Sequence, residues 1–377
     1  MTPDLPARTL IKPLADALEQ GNVIVGAPPG AGKSTVLPLA LLEYVITGKI
    51  LLMQPRRVVV RNLAAFLARQ LNEPVGATVG YRIRGESKVS PPTRIEVITE
   101  GILARMIQAD PELSGVSLII FDEFHERSIH SDFGLALALE VQEGLREDLR
   151  LVVMSATLDV SSLSQLLTAA TVLTTEGRAF PVAVSYTGDV PLEQMTDKLE
   201  STIRYAVANH NGDILVFLDG AGPINQLQRR LSGLTEGGEV VCHTLYGAMN
   251  KEAQQAAILP SPDGKRKIIL ATNIAETSLT IENIEVVIDS GLEKVATYHP
   301  ASGLTTLNRQ RISQASAVQR AGRAGRLGPG TCYRLWQQAT QERLTPFSQP
   351  QILREDIAGL FLDTLSWGTT IRELTLL

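Results

Sequence analysis

The sequence predicts an α/β protein of two tandem domains, each a parallel β-sheet covered by helices on both faces. Three observations predict it. Short apolar runs alternate with helix-length segments, the pattern of a sheet buried on both sides. The alternation is broken by a stretch with Gly, Pro and Thr at 174–191, then restarts. In the first half each apolar run ends in a polar cluster, outside the carboxyl end of a strand, where such sheets bind ligands. A length of 377 residues suits two domains with a small appendix.

A helix is expected over 10–20, with Ile11, Leu14 and Leu18 on one face. Val23-Ile24-Val25 reads as a buried strand, and 36–42 as a packed helix. Between them lies Gly26-Ala27-Pro28-Pro29-Gly30-Ala31-Gly32-Lys33-Ser34-Thr35. Strand, glycine-rich loop and helix are the setting a phosphate-binding P-loop requires. Glycines let successive backbone N–H groups turn around an anion, and the helix start adds its own unpaired N–H groups and dipole. Lys33 would reach the terminal phosphates and the Ser34 hydroxyl would ligate Mg²⁺. Ala27 stands where the pattern has Gly, which requires a negative φ there.

Further strands are expected at 49–53, 94–98, 116–121 and 150–154. They end respectively at Gln54-Pro55-Arg56-Arg57, Thr99-Glu100-Gly101, Asp122-Glu123-Phe124-His125 and Ser155-Ala156-Thr157. Helices are expected after the first three, to about residues 71, 108 and 144. Adjacent carboxylates behind the most apolar strand can divide the work of phosphate hydrolysis. One holds Mg²⁺ through water and the other orients the attacking water.

After the break, a helix at 192–209 leads into strands at 213–218, 239–242, 267–271 and 285–289, with helices at 224–231 and 251–259. The stretch 295–312 reads as a hairpin turning at His299-Pro300-Ala301-Ser302-Gly303. The tail, 352–367, reads as an amphipathic helix. Expected boundaries are 1–178, 179–345 and 346–377. The second domain has no P-loop of its own, but Gln319-Arg320-Ala321-Gly322-Arg323-Ala324-Gly325-Arg326 carries three arginines at spacing three. That spacing puts three guanidinium groups on one helix face, with small residues between them for close approach to a phosphate.

Apolar residues make up 44% and charged residues 20%, which supports ordinary cores and argues against disorder. No apolar run reaches membrane-spanning length. The start, Met1-Thr2-Pro3-Asp4, lacks the basic flank and apolar core of a signal peptide. Cys242 and Cys332 lack metal-ligand spacing and are expected to be reduced core residues of a cytoplasmic protein. The net charge of −5 argues against indiscriminate nucleic-acid binding. It leaves room for a local basic surface, because residues 294–340 hold seven lysines and arginines and no acid.

These motifs, with Thr272-Asn273-Ile274-Ala275-Glu276-Thr277-Ser278-Leu279-Thr280, resemble in order and spacing those of superfamily 2 helicases of the DEAH/RHA group. The resemblance runs from about residue 10 to the end. It implies two RecA-like domains, with ATP and Mg²⁺ as cofactors and single-stranded RNA bound across both domains, largely independent of sequence. DNA is the alternative nucleic acid, and an ATP-gated clamp the alternative activity; no membrane is involved. Nucleotide contacts are implied for Ala27, Pro28, Pro29, Gly30, Ala31, Gly32, Lys33, Ser34, Thr35, Asp122, His125 and Ser278. Metal contacts are implied for Ser34, Asp122 and Glu123. Glu123 is implied as general base, Gln319 as water-positioning and Arg323 and Arg326 as arginine fingers, with hydrolysis in the interdomain cleft. Ser155 and Thr157 would couple hydrolysis to movement. Arg57, Thr99, Thr272 and Thr280 would contact the nucleic-acid backbone, and the hairpin would separate strands. Two positions depart from the group. Asp219-Gly220-Ala221-Gly222-Pro223 replaces a Pro-Gly motif with a downstream Glu. Phe66 stands about where an Arg stacks on a base, and can stack or belong to the core. The group continues through a winged helix and further domains. The last residues here resemble the first helix of that winged helix, so a shortened product is expected.

Overall fold

The structure is a computed structural model that describes residues 5–28, 30–44, 47–156, 160–167, 169–176, 180–276, 281 and 283–377. The chain divides into two compact units. One comprises Met1–Gly177 with Gln349–Leu377, the other Arg178–Ser348.

The first unit holds β1 (Val23–Gly26), β2 (Lys49–Gln54), β3 (Val79–Ile83), β4 (Glu86–Lys88), β5 (Ile95–Thr99), β6 (Val116–Phe121), β7 (Arg150–Ser155) and β8 (Thr171–Thr174). They form one sheet in the order β4-β3-β5-β2-β6-β7-β1-β8. Only β3 and β4 pair antiparallel. Side chains alternate across a strand, so one apolar run feeds two cores. Ile50, Leu52, Leu118 and Ile120 join Leu14, Leu37 and Leu63 on one face. Leu51, Met53, Ile119 and Phe121 join Leu103, Phe133 and Leu137 on the other. That two-sided burial is why these runs carry no polar alternation.

The second unit holds β9 (Val182–Tyr186), β10 (Asp213–Phe217), β11 (Val240–Leu245), β12 (Arg266–Ala271), β13 (Ile284–Asp289), β14 (Leu292–His299), β15 (Leu304–Arg311) and β16 (Gly330–Arg334). Its sheet runs β11-β12-β10-β13-β16-β9 with every pair parallel. The hairpin β14–β15 stands apart as a two-stranded sheet and begins three residues before its expected start.

The tail differs from its expectation. Gln351–Leu353 is a short 3₁₀ turn and the helix is Ala358–Trp367. The Asp356 carboxylate accepts from the Ala358 N–H at 2.9 Å, which starts the helix six residues later than the apolar pattern suggests. The helix is apolar around most of its girth. Leu360 joins the first unit's core, while Phe361, Leu362 and Leu365 are exposed. The Trp367 indole N–H donates to Glu140 at 2.5 Å.

Candidate active site

Gly26 ends β1 and delivers the chain into the glycine-rich loop. The Ala27 N–H donates to the Ser155 carbonyl at 3.1 Å, which ties the loop to the end of β7. Ala27 is buried and its φ is not positive, as an alanine there requires. Positive φ falls on Gly30 (82°) and Gly32 (90°). A Cβ on Gly32 would also lie 2.9 Å from Leu5 Cδ1. The segment before the first helix thus braces the loop, and the Ala7 N–H donates to the Ala31 carbonyl at 2.9 Å. Nothing in the sequence signals this brace. Pro28 accepts from the Ala31 N–H at 3.3 Å, and Thr35 donates to the Gly32 carbonyl at 3.2 Å. Pro29 lies outside the described residues.

Lys33 opens the helix Lys33–Tyr44 and is buried; its Nζ donates to the Ala27 carbonyl at 2.6 Å. The ammonium is folded over its own loop, held by a neutral acceptor. Ser34 Oγ and Gln54 Nε2 both donate to Asp122 Oδ2, and the Glu123 N–H donates to Oδ1 at 2.9 Å. Burial pushes the Asp122 carboxyl above its usual range. Glu123 adds to the rise, and Lys33, Ser34 and Gln54 oppose it. The donor set of a hydroxyl and two carboxylates is hard oxygen, which suits Mg²⁺. Among the described residues no three His, Cys, Asp or Glu could hold a metal ion by themselves. A cation here would need phosphate oxygens and water, the usual coordination of Mg²⁺. The residues therefore fit the group.

Glu123 has φ 54° and Arg127 φ 47°, both in the left-handed region without being glycine. Between them runs the 3₁₀ turn Phe124–Glu126. Phe124 is buried and meets Phe121 edge-on at 6.3 Å. Arg127 donates twice to Asp132, at 2.9 and 3.1 Å. His125 Nδ1 lies 3.4 Å from the Ala156 nitrogen and 3.5 Å from Glu123 Oε2. An imidazole accepting at Nδ1 carries its proton on Nε2, and Nε2 is buried without a partner among the described residues.

Three residues expected to contact a nucleic acid stand at or just past strand ends. Arg57 is exposed as the first residue of the helix Arg57–Gln70, after β2. Thr99 precedes the helix Glu100–Ala109, and Thr272 the 3₁₀ turn Asn273–Ala275; neither hydroxyl caps its turn. Thr157, Ser278 and Thr280 lie outside the described residues. Phe66 is 41% exposed, so it is not a core residue.

In the second unit the helix Gln314–Ala321 ends before Arg323 and Arg326, so the expected three-arginine helix face does not exist. The two glycines explain the break, since glycine is a poor helix former. Gly325 also packs against the chain at Phe180, where a Cβ would lie 2.6 Å from the carbonyl oxygen. Arg320 is wholly buried and structural. It donates to Glu276 at 2.9 Å, to Asp289 at 3.0 Å and to the Leu292 carbonyl at 3.3 Å, and lies 4.8 Å over the Phe217 ring. Gln319 is buried, as is Arg323, whose Nε donates to the Glu276 carbonyl at 2.9 Å. Arg326 is half-buried. The departure at 219–223 has a structural counterpart, because Asp219 accepts from Arg309 and pins the base of β15. Gln54, Glu276 and Asp219 had no assigned role in the sequence; their partners are distant along the chain.

Known proteins resemble this arrangement. Residues 10–166 match the DEAD/DEAH box helicase family, and residues 196–328 match the helicase conserved C-terminal domain. The chain is 50% identical over 366 residues to the ATP-dependent RNA helicase HrpB of Escherichia coli, covering 97% of this chain and 45% of that one. It is 38% identical over 370 residues to the ATP-dependent RNA helicase HrpA of Borreliella burgdorferi, covering 96% and 44%. A crystal structure of the Escherichia coli DEAH/RHA helicase HrpB is similar with a TM-score of 0.92 at 49% identity, over 99% of this chain and 48% of that one. The chain thus spans about half the length of the relatives it matches.

Proposed function

The chain belongs to the DEAD/DEAH box helicase family, and on that premise we propose that it is the ATP-hydrolysing, nucleic-acid-binding core of an RNA helicase. The observation that carries this reading is the convergence of Lys33, Ser34 and Asp122 beside the glycine-rich loop. ATP is the substrate that such a loop, a buried ammonium and a helix start would hold by its phosphates. Ser34 and Asp122, with Glu123 close by, would hold Mg²⁺, which would supply charge neutralisation on the phosphate oxygens when bound. On binding, Lys33 exchanges the Ala27 carbonyl for phosphate. Glu123 then accepts the proton of the attacking water, and His125 links it to the Ser155-Ala156 strand end. Gln319, Arg323 and Arg326 are the second unit's proposed contribution: water positioning and charge stabilisation on the transferring phosphoryl group.

Single-stranded RNA is the proposed partner. Arg57, Thr99, Thr272 and Thr280 would take its phosphates and sugars, which carry no sequence information. Phe66, being exposed, is available to stack on a base. The hairpin, whose Leu304 and Leu307 are 62% and 69% exposed, would part a duplex. No helix among the described residues is long and apolar enough to cross a membrane; a cytoplasmic setting is part of the same proposal.

ATP turnover with and without single-stranded RNA or DNA tests the reading. RNA is expected to stimulate the parent. Lys33→Ala should lose ATP binding, because a charge on the phosphates is gone. Glu123→Gln should still bind ATP but not turn it over, because an amide cannot take the proton. Equal loss of binding in both variants would overturn the division of roles. Binding of RNA without turnover would make the protein a clamp, and stimulation by DNA alone would make it a DNA translocase.

A further inference from the structure

We infer that Gln351, 228 residues along the chain from Glu123, is a positioning residue for that carboxylate; the inference rests on the reading of Glu123 as the general base. The backbone from Glu123 to Arg127 is an arch that starts and ends in the left-handed region, at φ 54° and 47°. Such backbone persists only where its surroundings over-determine it. Inside the arch, the Glu126 N–H donates to the Glu123 carbonyl at 2.9 Å and the Arg127 N–H to the Phe124 carbonyl at 3.0 Å. Its far end is held by the segment that follows the second unit in the chain. The Gln351 N–H donates to the Arg127 carbonyl at 3.0 Å, and Gln351 Oε1 accepts from the Ile129 N–H at 3.2 Å. Arg127 Nη2 also donates to the Leu377 carbonyl at 2.9 Å.

One residue therefore grips the chain on both sides of Ser128, through backbone and side chain together. The Ile129 N–H opens the helix Ile129–Gly144 and has no acceptor within that helix. Ser128 caps only the Ser131 N–H, at 3.0 Å. Gln351 supplies the missing acceptor, so it fixes the helix start and the arch end at one point. With Phe124 anchored in the core, any play at Arg127 passes along the single 3₁₀ turn to Glu123. Lys33 is held within its own loop, at the Ala27 carbonyl, so the loop would hold ATP regardless.

Three variants of the full chain test this. Gln351→Ala removes the side-chain acceptor. Gln351→Glu keeps an acceptor and the N–H. Trp367→Phe removes the Glu140 bond and loosens the same tail away from the arch. Displacement of a catalytic group by about 1 Å costs on the order of 10²-fold in rate. Gln351→Ala, a smaller disturbance, should lower kcat roughly 10-fold while KM for ATP stays within about twofold, the signature of a contribution made only in the transition state. Gln351→Glu and Trp367→Phe should keep the parental kcat. Amide exchange over residues 123–129, measured on the same proteins, should speed up in Gln351→Ala alone. Parental kcat in Gln351→Ala, unchanged exchange, or an equal fall in Trp367→Phe would each overturn the inference. A parent no faster than Lys33→Ala, with exchange as expected, would instead overturn the reading of the nucleotide site and with it the catalytic half of the inference.

Discussion

Glu100 is a buried carboxyl at the carboxyl end of β5. It follows Thr99 at the end of β5, and the Ser128 hydroxyl donates to it at 2.5 Å. Burial pushes its pKa from 4.5 up to about 7. Ser128 and Arg56 oppose the rise, and Glu126 and Asp132 reinforce it. The fold therefore binds this proton more tightly than the unfolded chain does. Its contribution is full below pH 4.5 and is lost as the pH rises through about 7. The gap between those values corresponds to about 3 kcal/mol. Glu100→Gln removes the titration and keeps an acceptor for Ser128. Urea unfolding at pH 5 and pH 8 should show the parent losing about 2.5 kcal/mol more than the variant between the two, since pH 5 already lies above the unfolded value. Parallel losses would mean that Glu100 does not titrate there. The sequence made the convergence of Lys33, Ser34, Asp122 and Glu123 legible because short motifs place them beyond the carboxyl ends of two strands of one sheet. It left Gln54 and Glu100 unread, because each is defined by a partner that only folding brings near: Asp122, 68 positions away, and Ser128, 28 positions away.

At the scale of elements, most of the apolar parallel strands were legible, but β3 and β16, parallel and largely buried yet mixed with Gly, Arg and Thr, were not, and neither were the short polar strands. β4 and β8 pass unnoticed in the sequence, since Glu86-Ser87-Lys88 carries no apolar run and β8 is mostly exposed. The helix Gln314–Ala321 shows a subtler failure: periodic arginines suggested one continuous face, but the glycines after Arg320 end the helix. The consequence is a division of labour among the arginines. Arg320 neutralises Asp289, whose carboxyl burial pushes up and Arg320 draws back down. It also joins the helix to Glu276 after β12 and to Asp289 at the end of β13. Breaking a buried pair by removing one partner costs roughly 3–5 kcal/mol, because the other charge is left uncompensated. Arg320→Met should therefore lower the unfolding free energy by about that much. Chemical denaturation of the parent and the variant measures it. A loss below about 1 kcal/mol, the scale of an exposed pair, would remove Arg320 from the framework of the second unit.

For the whole molecule, the sequence showed two sheets and the break between them, but not that the chain returns to the first unit after Ser348. The return rests on Leu360, Leu374 and Trp367, residues whose apolar character fits many packings. Lys33 belongs to one unit and Arg326 to the other. If both serve one phosphate, ATP and RNA must each favour the same working state of the chain, and each should tighten the other. The expected coupling is about 1–3 kcal/mol, equal in both directions. On that reading, Arg326→Ala would remove charge stabilisation that matters only in the transition state. Its kcat should fall on the order of 10³-fold, while ATP affinity changes little because Lys33 and the loop N–H groups remain. The fold should survive, since Arg326 is half-buried whereas Arg320 is wholly enclosed. RNA should still bind the variant and no longer accelerate it. Single-turnover hydrolysis with and without RNA, beside an ATP titration of the same protein, separates these effects. RNA-stimulated hydrolysis near the parental rate would remove Arg326 from catalysis and leave Arg323 as the remaining candidate, since Arg320 is already committed to Glu276 and Asp289.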